Sequence, residues 1–208
     1  MIKAALDVRP STPNSIVLVE SGLLPIKAIV YARQWQFYKR FMDDLNGIRL
    51  DMMNNLLRQP SSYVKHYENL VSTYHSKEEI YSSFRLQNEE IVKSNANNSR
   101  YKFQIYMDIN PDLKPSPYIN SCNPVAKYIT RLRLGSHLLP IETGRWTRTP
   151  RNERICRNCN VLGDERHYLY DCSLIDRNNM LLPQPLSNIW DSEYIFILIT
   201  EMLKADLL

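Results

Sequence analysis

The residues with the clearest chemistry are three cysteines and a histidine close together in the last third of the sequence. Cys156 and Cys159 are separated by two residues. His167 follows after seven more, and Cys172 after another four. Two residues between thiolates allow both sulfurs to reach one ion, and four sulfur or nitrogen ligands are the usual complement of structural zinc. The spacing therefore predicts a bound structural Zn²⁺; the alternative is two buried thiols and an unrelated histidine.

The predicted zinc site would not be catalytic. A hydrolytic zinc site keeps one position open for water or substrate, and four protein ligands leave none. The sequence also lacks a Tyr-x-Asp-Asp polymerase motif and the carboxylate motifs of nucleases. The adjacent Asp43 and Asp44 lie on a predicted amphipathic helix, and we expect them to belong to its solvent-exposed face rather than to bind a catalytic metal. We therefore expect no enzymatic activity from this chain, and we expect Cys122 to be a lone thiol.

Positive charge is concentrated next to these ligands. Residues 127–157 hold eight basic and two acidic side chains, a net charge of +6, whereas the rest of the chain sums to −2. Seven of the eight are arginine, whose planar guanidinium suits phosphates and base edges. The seven arginines are Arg131, Arg133, Arg145, Arg148, Arg151, Arg154 and Arg157. This clustering indicates nucleic-acid binding; the alternative is an ordinary solvated face.

Composition places the chain among water-soluble globular proteins. It has 208 residues, of which 44% are hydrophobic and 23% charged, close to the globular average. Its longest apolar runs are far below the roughly 18 residues that span a bilayer. The first ten residues lack the apolar core of a signal peptide, and the cysteines fit reduced metal ligands better than disulfides. We expect an intracellular protein, in the nucleus or cytoplasm, with no membrane contact.

The hydrophobic pattern predicts a mainly α protein. Apolar residues recur at three- and four-residue spacing, as helices require. The predicted helices cover about 25–45, 50–58, 62–74, 76–93, 124–134 and a last segment from Ser187 or Ser192 to Lys204. Ser76 and Glu79 form a capping box for one of them. Strict alternation over 101–109 predicts a β-strand, and 138–150 is predicted to be a loop.

Four prolines between Pro111 and Pro124 suggest a stiff connector. We place the domain boundary there. The prediction is a helical domain at 1–110 with one strand, a proline-rich connector at 111–123, and a small zinc-knuckle module at 124–208. That module would contain the basic helix, the knuckle and the C-terminal helix.

Four short motifs in this module resemble one protein family. They are Arg-x-Arg-x-Gly-x-His at 131–137, Glu-Thr-Gly-Arg-Trp at 142–146, Glu-Arg-x-Cys-x-x-Cys at 153–159 and Asp-Glu-x-His-x-Leu-x-x-Cys at 164–172. In this order they resemble the region C-terminal to the reverse transcriptase core in animal non-LTR retrotransposon proteins. The specific resemblance covers 125–177, and a looser one 20–208.

The resemblance implies a CCHC zinc knuckle that grips RNA or DNA beside a polymerase. It assigns Cys156, Cys159, His167 and Cys172 to zinc. It makes Arg133, His137, Arg145 and Trp146 candidate nucleic-acid contacts, although His137 also fits a core histidine. The chain would then be a C-terminal fragment or standalone relative of such a protein, a reverse transcriptase core would be one partner, and any enzymatic activity would belong to that core.

Three functions stay open at this stage. The first is binding of RNA or single-stranded DNA through the arginines, with Trp146 stacking on a base. The second is a zinc-stapled scaffold that docks on an acidic protein or on a polymerase body. The third is a nuclease that uses a divalent metal other than the zinc. Neither the preferred nucleic acid nor the oligomeric state follows from the sequence.

Overall fold

The fold is mainly helical, as the sequence predicts. The computed structural model describes residues 2–43, 51, 55, 63–177, 183–190, 192 and 194–208. Its α-helices are α1 (Ile2–Ala5), α2 (Asn14–Ser21), α3 (Ile26–Asp43), α4 (Tyr63–Thr73), α5 (Lys77–Asn97), α6 (Tyr101–Ile109), α7 (Ala126–Arg133), α8 (Pro140–Trp146), α9 (Leu186–Ile189) and α10 (Tyr194–Lys204). Among these residues no single helix is both long and apolar enough to cross a membrane. Only the pair α2 and α3, counted together, reaches the necessary length and apolar content.

The chain divides into two compact units. The first contains Met1–Gly22 and Ile91–Leu208, and the second contains Leu23–Glu90. The predicted connector 111–123 lies within the first unit. It packs there because Leu113 and Tyr118 are buried and the Ser116 amide donates to the Glu20 carbonyl at 2.8 Å. The boundaries between the two units therefore lie after Gly22 and after Glu90, and not in the predicted connector 111–123.

The predicted strand at 101–109 is wrong, because these residues form α6. Phe103 and Tyr106 pack into one core cluster with Val17 of α2. Ile105 and Ile109 instead join the larger core of the C-terminal helices. Since α6 lies between two clusters, it buries apolar residues on two sides, and their spacing imitates the alternation of a strand. Within the described ranges the β-type pairing is one isolated bridge, between Ile155 and Leu162.

The second unit contains α3, α4 and the first part of α5. Ala28 and Ala32 of α3 are buried in one apolar cluster with Ile80 and Phe84 of α5. Trp35 donates its indole N–H to the Tyr74 carbonyl at 2.8 Å. The predicted helix 62–74 corresponds to α4, whereas the one at about 50–58 lies outside the described residues apart from Asp51 and Asn55.

Local sequence signals set several helix boundaries. The Ser76 hydroxyl accepts from the Glu79 amide at 3.0 Å, as the predicted capping box before α5 requires. The Glu79 carboxylate reaches back one residue further than in the standard box and accepts from the His75 amide at 2.7 Å. Gly135 ends the basic helix α7 with a φ of +58°. The predicted loop 138–150 is wrong in part, because Pro140 starts the short helix α8 at its first position.

A buried ion pair joins α2 to α7 in the first unit. Both Arg133 and Glu20 are almost fully buried, and the guanidinium donates to the two carboxylate oxygens at 2.5 and 3.1 Å. The Tyr106 hydroxyl also donates to Glu20, at 2.9 Å. Burial lowers the pKa of Arg133, but the charge and hydrogen bonds of Glu20, together with the nearby Tyr106 and Tyr118, outweigh burial and raise this pKa. Arg133 therefore has a structural role, as the buried partner of Glu20.

We predict that Glu20→Gln lowers the free energy of unfolding by about 3–5 kcal/mol, because it leaves the buried Arg133 charge unpaired. Urea denaturation followed by circular dichroism measures this change. The matched control is Asp112→Asn, which breaks an exposed pair with Lys114 and should cost less than about 1 kcal/mol. Equal losses for both variants would contradict the special role of the buried pair.

Candidate metal centre

The first two predicted ligands lie in a short hairpin. The Ile155–Leu162 bridge closes it, and the Cys156 amide donates to the Val161 carbonyl at 2.7 Å. Asn160 turns the chain with a φ of +61°, a conformation that asparagine tolerates well. This turn brings Cys159 back beside Cys156, as the two-residue spacing predicts.

The other two predicted ligands lie at the ends of a single π-helical turn, His167–Asp171. The Cys172 amide donates to the His167 carbonyl at 2.8 Å, the five-residue hydrogen bond of a π-helix. Asp164 accepts from the His167 amide at 3.0 Å and so fixes the start of this turn. Because the turn is wider than an α-helical one, two residues five apart in sequence return to the same side.

The four ligand atoms converge, which confirms the predicted grouping. The three sulfurs and one ring nitrogen all lie within 4.8 Å of one another. The Cys172 sulfur is 3.7 Å from that of Cys156 and 3.9 Å from that of Cys159. A disulfide needs about 2.05 Å, whereas a tetrahedral site with metal–sulfur bonds of about 2.3 Å places its sulfurs about 3.8 Å apart. The spacing therefore fits a metal site rather than a disulfide.

The histidine ring supplies an independent sign of a metal. Its Nε2 atom is buried and has no hydrogen-bond partner among the residues that the structure describes. A buried polar atom without a partner is costly, and coordination to a metal at this position would satisfy it. The cluster is therefore able to hold one metal ion with four protein ligands.

The surroundings stabilise a thiolate at Cys156. Burial raises the pKa of this thiol, but hydrogen bonds from the Tyr168 hydroxyl and from the backbone amides of Cys159 and Asn158 outweigh burial and lower it to about 6. Burial raises the pKa of Cys172 to about 12. Because the three sulfurs lie close together, a negative charge on one thiolate disfavours ionisation of the next thiol. Ionisation of all three therefore needs a bound cation.

The more exposed Cys159 has polar neighbours. The Ser173 hydroxyl lies 3.4 Å from its sulfur, and Asn158 donates to Ser173 at 2.7 Å. The contacts with Ser173 lower the pKa of Cys159. The chain therefore supplies hydrogen bonds to the sulfur that faces solvent as well as to the buried ones.

Arg177 holds the π-turn in place through four carbonyl oxygens. Its guanidinium donates to Tyr168, Leu169, Cys172 and Ile175, at 2.8, 3.1, 2.6 and 3.1 Å. Two of these carbonyls lie inside the turn, and a third belongs to a ligand. Nothing in the sequence pattern points to Arg177, because an arginine five residues after the last ligand has no spacing signature of its own.

Two of the predicted nucleic-acid contacts are buried and have internal partners. Arg133 pairs with Glu20, as described above. His137 Nε2 lies 3.0 Å from the carboxylate of Glu165, which also accepts from the Tyr101 hydroxyl at 2.9 Å. Burial raises the pKa of Glu165, but the interactions with His137, together with hydrogen bonds from Tyr101 and a backbone amide, outweigh burial and keep the pKa below its usual value. We therefore do not retain Arg133 and His137 as nucleic-acid contacts.

Arg154 also has a structural role. It donates to the carbonyls of Thr149 and Ile141 at 2.9 and 3.0 Å. Its methylene stem lies over Gly144, where an added Cβ would approach it to 2.5 Å. This close contact explains why glycine occupies the middle of the Glu-Thr-Gly-Arg-Trp motif.

The other predicted contacts reach the surface. Arg148, Arg151 and Arg157 are exposed, while Arg131 and Arg145 are partly buried. The guanidinium of Arg151 lies 4.1 Å from the ring centre of Tyr101, and that of Arg145 lies 5.8 Å from the same centre. Trp146 is 46% exposed, and the Arg9 guanidinium covers its ring at 3.2 Å.

Comparison with known proteins adds no identification. No protein-family model matches the chain, and no match was found among curated proteins or among solved structures. The resemblance to retrotransposon proteins therefore stays a prediction that depends on the four sequence motifs. What the structure adds is the convergence of the four ligand residues.

We predict that Arg177→Gln weakens metal binding about 10- to 100-fold, the range found when groups that orient metal ligands are removed. Titration with Co²⁺, followed by its visible absorption and by competition with a chelator, measures the affinity. The matched control is Arg157→Gln, which removes a positive charge next to Cys156 in sequence without touching the π-turn. A similar loss in both variants would assign the effect to charge alone.

Proposed function

We propose that Cys156, Cys159, His167 and Cys172 hold a structural Zn²⁺. The convergence of these four donors within 4.8 Å supports this proposal most directly. Three thiolates and one imidazole favour zinc over hard cations such as Mg²⁺ and Ca²⁺, which prefer oxygen. Because all four positions would be filled by protein atoms, the role is to fix the fold rather than to activate water.

The zinc would fasten the hairpin 155–162 to the π-turn and to the core. Cys156 and Cys172 belong to the largest core cluster, together with Leu139 and Leu169. The arginine-bearing segment 145–157 begins in α8 and ends in this hairpin, where Gly163 donates to the Arg154 carbonyl at 2.8 Å. An ion at the site would therefore hold the ends of that segment at a fixed distance.

We further propose that this segment binds RNA or single-stranded DNA. Arg145, Arg148, Arg151 and Arg157 retain at least partial exposure, and Trp146 is half-exposed beside them. Guanidinium groups bind phosphates in a bidentate manner, and aromatic side chains stack on bases. The sequence motifs shared with the post-polymerase region of non-LTR retrotransposon proteins favour this function. On this proposal the protein is intracellular and has no enzymatic activity of its own.

The zinc proposal predicts a large stabilisation by metal. Raising free Zn²⁺ to about 1,000 times its dissociation constant should raise the free energy of unfolding by about 4 kcal/mol, and chelation should reverse the gain. Cys172→Ser should abolish the response, whereas Cys122→Ser, at an exposed cysteine outside the cluster, should keep it. Chemical denaturation at several metal concentrations tests this. A zinc response that persists in Cys172→Ser would place the metal elsewhere.

The nucleic-acid proposal predicts binding that weakens steeply with salt. Arg145→Ala combined with Arg148→Ala should reduce the slope of log affinity against log salt by about 1.4 for a single strand, because each lost phosphate contact contributes about 0.7. Fluorescence anisotropy with labelled RNA and DNA measures the slope. The control is Arg33→Ala combined with Arg40→Ala, which removes two exposed arginines from α3.

Two results would contradict this second proposal. Affinity that does not change between 50 and 200 mM salt would exclude phosphate contacts as its source. A slope reduced equally by the α3 control would mean that overall charge, rather than the segment 145–157, drives binding. If no nucleic acid binds while an acidic protein is captured by the purified chain, the zinc-stapled scaffold is the better description.

A further inference from the structure

Arg9 contributes to the surface around Trp146, although it lies far away in the sequence. Its guanidinium carbon is 3.2 Å from the centre of the Trp146 ring, a stacking distance. Two further contacts bring the N-terminal segment to this place. The Arg9 amide donates to the Ser136 hydroxyl at 2.9 Å, and the carboxylate of Asp7 lies 3.7 Å from the guanidinium of Arg131.

Several charges surround this stack, and the positive ones are in excess. Partial burial lowers the pKa of Arg9, Glu142 opposes this, and the charge of Arg131 adds to it. The Glu142 carboxylate is already engaged, because Lys102 binds it at 2.7 Å and Arg145 lies 3.5 Å from it. Its single negative charge is therefore shared among several cations and does not neutralise the Arg9 guanidinium.

The stack also changes the expected role of Trp146. One face of the indole is covered by Arg9, so a base cannot stack on that face while Arg9 is in place. A guanidinium that lies on an aromatic ring keeps its N–H groups in its own plane, where they are able to bind an oxyanion. The tryptophan thus holds an arginine in a fixed orientation before any ligand arrives.

We infer that Arg9 is a phosphate contact of the proposed nucleic-acid surface, held in position by Trp146. This inference depends on the proposed function, because it names a further residue of the same surface. Binding then costs Arg9 little side-chain entropy, since its orientation is already set by the ring. It also adds the N-terminal segment to a surface that otherwise consists of the segment 145–157.

The first test removes Arg9 and measures binding of single-stranded RNA by anisotropy. Arg9→Ala should lower the slope of log affinity against log salt by about 0.7, which corresponds to an about fourfold weaker affinity at 0.15 M salt. Arg9→Lys should give an intermediate loss, because it keeps the charge but not the flat stack. Arg85→Ala removes an exposed arginine of α5 in the second unit and should change neither quantity.

A second test asks whether Trp146 positions Arg9. In a double-mutant cycle, Arg9→Ala should cost clearly less than fourfold in a Trp146→Ala background, because the ring that orients the arginine is then absent. Thermal denaturation of each variant confirms that it is folded, and Arg9→Gln replaces Arg9→Ala if the latter is not.

The outcomes separate the inference from the proposed function. If the wild-type chain binds no nucleic acid, the proposed function fails. If the wild type binds and Arg9→Ala binds equally well with the same slope, only the inference fails. An equal loss of affinity in Arg85→Ala would mean that Arg9 contributes only through the overall charge of the protein. A full fourfold loss in the Trp146→Ala background would overturn the positioning role of the tryptophan.

Discussion

The first unit must accommodate three thiol sulfurs and one imidazole next to each other, with two of the sulfurs inside its hydrophobic core. Cys156 and Cys172 are completely buried. Charged sulfur in such surroundings is costly unless it is coordinated or hydrogen-bonded. The hairpin and the π-turn meet this constraint with a hydroxyl and backbone amides directed at the sulfurs. Within the described residues, this is the cluster of metal-ligating side chains that the fold brings together.

The arginines of the first unit divide into two groups with different uses. Arg133, Arg154 and Arg177 turn inward and bond to a carboxylate or to carbonyl oxygens. The N–H groups of these guanidiniums hold segments of the chain together at places where regular hydrogen bonding ends. A guanidinium suits this role because it is rigid and has five N–H donors. Other arginines face solvent or lie on aromatic rings. A net charge counted along the sequence therefore overstates the charge that a ligand would meet.

The parts of the structure that the sequence predicted well depend on short-range geometry. The knuckle was predictable because two residues between cysteines and four between His167 and Cys172 restrict where these side chains point. Helix boundaries at Ser76 and Gly135 were predictable because capping groups act within one turn. The strand at 101–109 was a wrong prediction, because periodicity alone does not reveal that a helix is packed on two sides. Arg9 was missed because its contact with Trp146 is tertiary, and Arg177 was missed because its partners are backbone carbonyl oxygens, which leave no signature in residue type or spacing.

The order of the chain has a consequence for how the first unit forms during synthesis. Glu20 and Arg133 are separated by 113 residues, and Arg9 and Ser136 by 127. At about 5–20 residues per second, a ribosome needs roughly 6–23 s to make the chain between the members of the first pair. For most of that interval α2, with its apolar Ile16 and Val17, has been made without Phe103 and Tyr106 of α6, which later pack against it. The nascent chain must therefore keep the apolar side of α2 soluble until α6 has emerged.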